Sequence, residues 1–324
     1  MDLFRYSIGR VAQAIPLILL LILLTFFIVH LAPGDPVAYM LSGAPNVPAE
    51  ILQIMRHQMG LDQPIQVQLW IYLRNLATGN WGYSYVYDKP VMDIVYPRLL
   101  NTLMLTLLAF ALQIVVGILL GVASAVKRGE RGDRLLNIGT ITIWSLPTFW
   151  VGIIMILVFG MFLGLFPVEG MVTAGMSGSW LSRWLDLAWH AFLPVLTLAL
   201  GGFGLYFRLT RASMLEVLRQ DYIMTAWGKG CAPRTVYFEH AFRNAILPLV
   251  TIVASNAGYL LAGAVLIETI FSWPGVGYLL YVSIAGRDYQ MIQLIFVMVG
   301  VLTVLSNLVA DLLTAFLDPR IRYD

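Results

Sequence analysis

The 324-residue sequence is short of charge: only 12% of it is Asp, Glu, Lys or Arg, about half the share in an ordinary globular chain. It holds one cysteine, Cys231, so an internal disulfide is excluded, and nothing near that thiol would make it a nucleophile or a metal ligand. The four histidines, His30, His57, His190 and His240, are far apart, and the absence of H-E-x-x-H argues against a zinc protease. GMSGS at 175–179 misses the G-x-S-x-G nucleophile turn by one residue. Lys229 stands between two glycines but lacks the upstream glycine and the following Ser or Thr of a P-loop, so ATP cannot bind in that manner. No low-complexity tract and no internal repeat is visible; inverted repeats would have favoured a secondary transporter.

What the chain does have is apolar surface. It is 59% hydrophobic with a mean hydropathy of +0.80, more than a soluble domain of this length can hide, so the solvent is lipid. Six runs are long enough to cross a bilayer: 11–32, 99–126, 137–163, 187–207, 245–267 and 289–310. None contains an acid, Lys or Arg, as a spanning helix requires when one charge at mid-membrane costs at least about 2.5 kcal/mol. The first run is too long for the apolar part of a cleaved signal peptide, and no small-x-small cleavage site follows it. The expectation is an all-α, polytopic membrane protein with six transmembrane helices. Glycines at 117 and 121, at 160 and 164, and at 201, 202 and 204 read as close helix packing. Pro147, Pro194 and Pro248 are each expected to interrupt a span. Glu268 and Asp311 lie at span edges and read as satisfied structural groups, since a proton-coupled carrier places its acids nearer the midplane.

Orientation follows from the basic residues. Most of the 20 lysines and arginines fall on one side: Arg5 and Arg10 before the first run, Lys127, Arg128, Arg131 and Arg134 after the second, Arg208, Arg211, Arg219, Lys229, Arg234 and Arg243 after the fourth, and Arg320 and Arg322 at the tail. Both termini are therefore expected in the cytoplasm. On the other side, residues 33–98 form the one large loop. Ile51, Ile54, Met55 and Met59 make a helical stripe after Pro48 that Gly60 would end; Ile65, Leu69, Leu73 and Leu76 make a second, between Pro64 and Gly79. Then WGYSYVY places Trp81, Tyr83, Tyr85 and Tyr87 at alternate positions, either an aromatic belt at headgroup level or a contact surface for a delivered ligand or its carrier.

The most informative stretch is DYIMTAWGKG, 221–230, a polar hairpin between two of the longest apolar runs. Ile223, Ala226, Trp227 and Gly230 fall at i, i+3, i+4 and i+7, one face of a short helix that Gly230 and Pro233 break before a second helix at 235–244. Such a face either docks in a partner's groove or lies flat on lipid headgroups, and pattern alone leaves the two even.

The hairpin resembles the EAA loop of ABC-importer permeases, which docks into a cleft on a cytoplasmic ATPase. Met224, Thr225 and Ala226 stand where that motif has Glu-Ala-Ala, Gly230 matches its glycine, and Leu247-Pro248 its closing Leu-Pro. DYIMTAWGKG followed by HAFRNAILP is similar to the form found in the branch that carries peptides and nickel, with Trp227 and Gly228 departing from it. LAPGDP (31–36), GLDQP (60–64), SLPTFWVG (145–152), RLTRASMLEVL (208–218), ETIFSWPGVG (268–277) and DPRIRY (318–323) resemble the same branch in the same order, over nearly the whole chain.

The resemblance implies the type I ABC importer permease fold: an N-terminal helix and external loop over 1–94, a five-helix permease core over 95–317 and a cytoplasmic tail over 318–324. It implies the first permease subunit of a dipeptide, oligopeptide or nickel importer in a bacterial inner membrane, working by alternating access. The partners would be a second, homologous permease in a heterodimer, two ATPase subunits, an external solute-binding protein and the lipid bilayer, with no nucleic acid. The chain would hold no catalytic residue, metal or cofactor of its own, since ATP and Mg belong to the ATPases. Coupling to them would fall to Ile223, Ala226 and Trp227 as the docking face, Gly230 as the turn, and Arg234, Arg243 and His240 beside it; solvated positive charge is the other reading of the arginines. Short peptides lead as cargo. Nickel, glutathione and oligosaccharide remain alternatives, with a proton-coupled carrier behind them, and substrate contacts cannot be placed.

Overall fold

Without water to bond it, an apolar backbone must close its hydrogen bonds inside its own segment, and helices do so. The computed structural model describes residues 3–31, 48–58, 60–84, 86–257 and 264–317. In chain order these form α1 (Leu3–Leu31), α2 (Ala49–Gln58), α3 (Ile65–Ala77), the short strands β1 (Tyr83–Ser84) and β2 (Lys89–Pro90), α4 (Val91–Val126), α5 (Arg131–Ser145) and α6 (Thr148–Met155), which runs on as a π-helix, π1 (Ile156–Phe162). Then come α7 (Trp180–Val217), α8 (Asp221–Gly228), a second π-helix π2 (Thr235–Phe242), α9 (Arg243–Ala245), α10 (Leu247–Ala257), α11 (Val265–Ile270), α12 (Val276–Ala285) and α13 (Tyr289–Leu317).

Four of these helices, α1, α4, α7 and α13, are long and apolar enough to cross a bilayer, and α5 with α6 makes a fifth span if the bent pair is counted as one. That pair departs from the straight third span expected at 137–163. The two arms meet at 99° because Leu146, extended at φ −80° and ψ 140°, precedes Pro147, whose ring forbids the helical conformation in its predecessor. Pro194 does the opposite of what was expected: it lies buried inside α7, which runs unbroken for 38 residues. Packing on both flanks of α7 holds its axis there. Pro248 falls in the first turn of α10, where no intrahelical N–H is needed. The fifth run, 245–267, lies partly outside the described residues; α10 covers its start and α11 its end. Met59, Tyr85, residues 32–36 of LAPGDP and all of DPRIRY lie outside them too.

α7 is the axis of the bundle. On one flank its Phe203, Tyr206, Phe207 and Thr210 meet α4 at Gly117 and Gly121, where a Cβ on Gly121 would stand 2.7 Å from Thr210 Cβ. On the other flank Gly201 and Gly204 admit Thr148 and Trp144, with Trp144 Cγ 2.6 Å from where a Cβ on Gly204 would lie. Glycine at these points replaces side-chain volume with backbone contact, as expected. Gly160, in π1, instead packs against Val168 of the following loop, and Gly164 takes φ +61° in a turn. Near the C-terminal part of α13, Arg10 of α1 pairs with Asp311 at 2.9 Å, so that span-edge acid is partnered.

At one end of the bundle, α4, α12 and α13 share a core of Val91, Ile94, Val95, Leu99, Val276, Leu279, Met291, Leu294 and Ile295. The 81–90 hairpin is tied to it. Trp81 and Tyr87 pack against this core, Tyr83 N–H donates to Gln290 Oε1 at 2.8 Å, and Ser84 Oγ donates to the buried carboxylate of Asp288. Burial pushes the Asp288 carboxyl above its ordinary range, while the bonds from Ser84 and Met291 N–H pull it back. Two of the rings expected to form a belt or contact surface are thus turned inward. α2 and α3 form where the two stripes placed them, and Gly60 and Gly79 follow them at φ +69° and +74°. His30 bonds Gln68 of α3 at 3.0 Å, which fastens that helix to α1.

Candidate functional site

The opposite end of the bundle carries the basic loops and the 221–245 hairpin. Asp221 sits in the first turn of α8, where an acid complements the helix dipole. The helix ends in a Schellman cap: Cys231 N–H reaches back to Ala226 C=O at 3.2 Å and Gly230 N–H to Trp227 C=O at 2.9 Å. This cap requires the left-handed backbone that Gly230 adopts at φ +78°, and no atom lies within 4 Å of a Cβ placed there. Gly230 is therefore needed for conformation and not for space. Cys231, half-buried, packs against the apolar cluster under the cap.

That cluster decides which face of the hairpin is free. Ile223 (1% exposed) and Ala226 insert between Val122 and Ala125 of α4 and Met214 of α7, with Val236, Ala241 and Ala245 of the return arm. Burying an Ile side chain stabilises by about 1.5–3 kcal/mol, so these contacts hold the hairpin to the body. The expectation that Ile223 and Ala226 form the face offered to a partner does not fit this burial. Their stripe is apolar because it faces the chain's own core.

The exposed apolar surface is a different set: Tyr222, Met224 (67% exposed) and Trp227, which flank the buried side of α8, and Phe238 on the return arm. Trp227 meets Tyr237 edge to face, with centroids 5.9 Å apart, which ties the two arms of the hairpin together. Asn244 donates to Tyr222 Oη at 2.9 Å and to His240 C=O at 3.0 Å, so the far ends of the arms are joined as well. Arg234 and Arg243 are exposed at the rim, and His240 is half-buried. Of the six residues singled out from sequence, Trp227 joins the exposed surface, Arg234 flanks it and Gly230 shapes it, while Ile223 and Ala226 lie beneath and half-buried His240 supplies the carbonyl that Asn244 bonds. Tyr222, Met224 and Phe238 were missed. The i, i+3 pair of Met224 with Trp227 was masked by the stronger stripe on the buried side, and the π-helical turns of π2 shift Phe238 away from a 3.6-residue count.

Behind the hairpin a polar latch joins three helices. Asp133 of α5, nearly buried, accepts from Ser124 Oγ (2.6 Å), Asn137 Nδ2 (2.6 Å) and Gly129 N–H (3.0 Å), and a two-pronged pair from Arg211 Nε and Nη2 of α7, each at 3.0 Å. Such bidentate pairs fix geometry as well as charge. The latch fixes the last turn of α4 and the start of α5 to the part of α7 that leads into α8.

Glu268, in ETIFSWPGVG at the other end, is fully buried. It accepts from Thr102 Oγ1 at 2.7 Å and Tyr278 N–H at 3.0 Å, while Thr102 Oγ1 accepts from Val276 N–H at 2.8 Å. Gly275 and Gly277 give it room: a Cβ on Gly275 would overlap its carboxyl group, and one on Gly277 would come within 2.6 Å of Val265 Cα. Its role is to fold the α11–α12 loop onto α4. His190 Nδ1 lies 2.9 Å from Asp186 C=O and His30 Nδ1 lies 2.8 Å from Phe26 C=O, so both histidines are held by their own helices. Among the described residues no three His, Cys, Asp or Glu side chains gather as metal ligands.

Comparison with known proteins covers the whole chain. Residues 113–323 match the family described as "Binding-protein-dependent transport system inner membrane component", and residues 3–106 match "Binding-prot-dependent transport system membrane comp, N-term". The chain is 36% identical over 321 residues to the glutathione transport system permease protein GsiC of Salmonella paratyphi A, covering 99% of this chain and 100% of the relative. The GsiC proteins of Escherichia coli and Shigella dysenteriae match to the same extent, 36% over 321 residues.

Proposed function

Because the chain belongs to the binding-protein-dependent transport system inner membrane components, the permease subunits of ABC importers, we propose that its cargo is short peptides and that its 221–245 hairpin transmits the work of the partner ATPases. ATP coupling in such a system lies with the partner subunits and delivery with the binding protein. In this reading the basic end, with both chain termini, faces the cytoplasm, and a second, homologous permease completes the pathway.

The observation that carries the docking role is the split of the hairpin into two apolar faces. One is spent on the chain's own core; the other, with Tyr222, Met224, Trp227 and Phe238, is exposed on a hairpin whose arms the Schellman cap and the Asn244 bonds join, and none of the four belongs to the buried cluster beneath. Amphipathic helices of this kind dock in grooves. Movement of an ATPase would pass through the Ile223 and Ala226 contacts to α4 and α7 and swing the bundle between inward-open and outward-open states. A swing from 1:99 to 99:1 takes about 5.5 kcal/mol of differential binding, which ATP and the loaded binding protein supply jointly because each favours one state.

Glutathione is the second reading of the cargo, favoured by the printed name of relatives similar to the chain along its full length. It is itself a small peptide, so the two readings differ in size and linkage and not in chemical class. The test is uptake of labelled dipeptide, glutathione and nickel by cells lacking this gene and by the same cells carrying it. Peptide uptake that returns with the gene supports the first reading, and glutathione alone the second. Nickel alone would overturn both, and uptake that continues without ATP but stops when the proton gradient collapses would overturn the ATP-driven mechanism.

A further inference from the structure

We propose that the first turns of α7 are an anchor seated in the phospholipid headgroup layer at the end of the bundle remote from the hairpin. The length of α7 leads to this. Its uncharged run, 187–207, rises about 31 Å at 1.5 Å per residue, which already matches a hydrocarbon core of about 30 Å. The helix nevertheless begins at Trp180, so its residues 180–186 stand beyond the hydrocarbon, at headgroup depth.

The side chains there suit that depth. Trp180, Trp184 and Trp189 are 74%, 50% and 52% exposed, and Leu181 and Leu185 lie on the same outward stripe. Trp180 and Trp184 meet edge to face at 6.1 Å, while Phe166 stacks on Phe192 at 4.4 Å and leans on Trp189 at 5.1 Å, which extends the surface to the loop before α7. An indole with an apolar body and one N–H donor is favoured where hydrocarbon gives way to water. The charges agree. Arg183 is exposed, with a stem that can lie along apolar surface and a head that suits lipid phosphate. The one acid, Asp186, is turned away from the stripe: it accepts from Thr173 N–H at 2.8 Å and Thr173 Oγ1 at 2.7 Å, and lies 3.5 Å from His190.

One turn further on the helix enters the bundle, where His190, Leu193 and Pro194 are buried on the side away from the stripe. The exposed stripe is therefore the lipid-side face of a fixed helix. The anchor also bears on transport, because α7 leads directly into α8: holding its far end in the headgroup layer fixes the point about which the hairpin end can move. This belt stands in place of the one expected at 81–87, where Trp81 and Tyr87 face the core.

The test uses the assembled transporter in liposomes, comparing wild type with a Trp180→Phe/Trp184→Phe variant. Their fluorescence difference isolates the two indoles. The proposal expects this difference signal to lose most of its intensity in lipid brominated near the headgroup and much less in lipid brominated near the chain ends. Quenching by soluble acrylamide without quenching by either lipid would mean that the rings face water; no quenching by any of the three would mean that a protein partner covers them. Either result overturns the proposal. Trp180→Cys and Trp184→Cys, each spin-labelled on a Cys231→Ser background, read the same depth from oxygen and soluble-nickel accessibility if the phenylalanine pair fails to assemble.

Discussion

The two halves of α4 each pack against a buried carboxylate, and the two are satisfied by different chemistry. Asp133, beside the last turn, is gripped by a guanidinium and four further bonds from Ser124, Asn137 and Gly129; one of these, from Asn137 Nδ2, goes to the Asp133 carbonyl at 2.7 Å and the rest to its carboxylate. Glu268, beside the first turns, has a hydroxyl and backbone amides, and among the described residues no Lys or Arg pairs with it. The first arrangement keeps a full charge in place and locks three helices near the hairpin. The second uses a carboxylate as a hydrogen-bond hub that shapes a loop. What differs is which change each end can tolerate, and that difference can be measured.

Arg211→Ala should have the largest effect, because it leaves Asp133 buried without its cation, a defect that costs about 3–5 kcal/mol. The readout is the melting temperature and membrane abundance of the chain. Replacing both partners, as Asp133→Asn with Arg211→Met, should recover much of the loss; a double variant as damaged as the single would break the account of the latch. Next is Gly275→Ala at the other end, which drives a methyl into the Glu268 carboxyl and should cost about 1–3 kcal/mol by overpacking. Combined with Glu268→Ala it should cost less than the sum of the two, since the second change opens the space the first needs; strict additivity would contradict the contact. Gly230→Ala should cost about 1–2 kcal/mol, the penalty of a left-handed backbone, because nothing surrounds the new methyl.

The smallest effect concerns pH. His57, near the end of α2, bonds Asp62 of the exposed segment between α2 and α3 at 2.7 Å. The bond from Asp62 raises the His57 pKa above its usual value of about 6.5, and the same bond lowers that of Asp62. Stability from the histidine is complete below its unfolded value and fades as pH rises through the raised one. Stability from the aspartate is complete above its unfolded value and fades as pH falls through the lowered one. The pair should therefore order this segment most in mildly acidic solution. Amide protection over 49–77, taken relative to the intrinsic exchange rate at each pH, should rise between neutral and mildly acidic pH and lose that rise in His57→Gln; an unchanged rise would exclude the pair as its source.

Four of the six expected spans and the helices at 49–58 and 65–77 were legible because composition and a 3.6-residue period are local properties. The bend at Pro147 was legible as a break but not as an angle, and the continuity of Pro194 was not legible at all, since it depends on the flanks that α4 and α6 give to α7. The hairpin shows the limit most clearly. An apolar stripe at Ile223 and Ala226 states that something covers it, and only tertiary packing states that the cover is this chain's own α4 and α7. The same holds for Glu268, whose partner Thr102 is 166 residues away in sequence.

The central claim is that the face made by Tyr222, Met224, Trp227 and Phe238 couples this permease to its ATPases. Its most direct test is ATP-driven uptake into liposomes by transporters carrying Trp227→Ala with Phe238→Ala, at matched amounts of this chain in the membrane. The account predicts that uptake collapses while the chain's abundance and melting temperature stay near wild type, because these rings lie outside the core that Ile223 and Ala226 build. Uptake at the wild-type rate would contradict it.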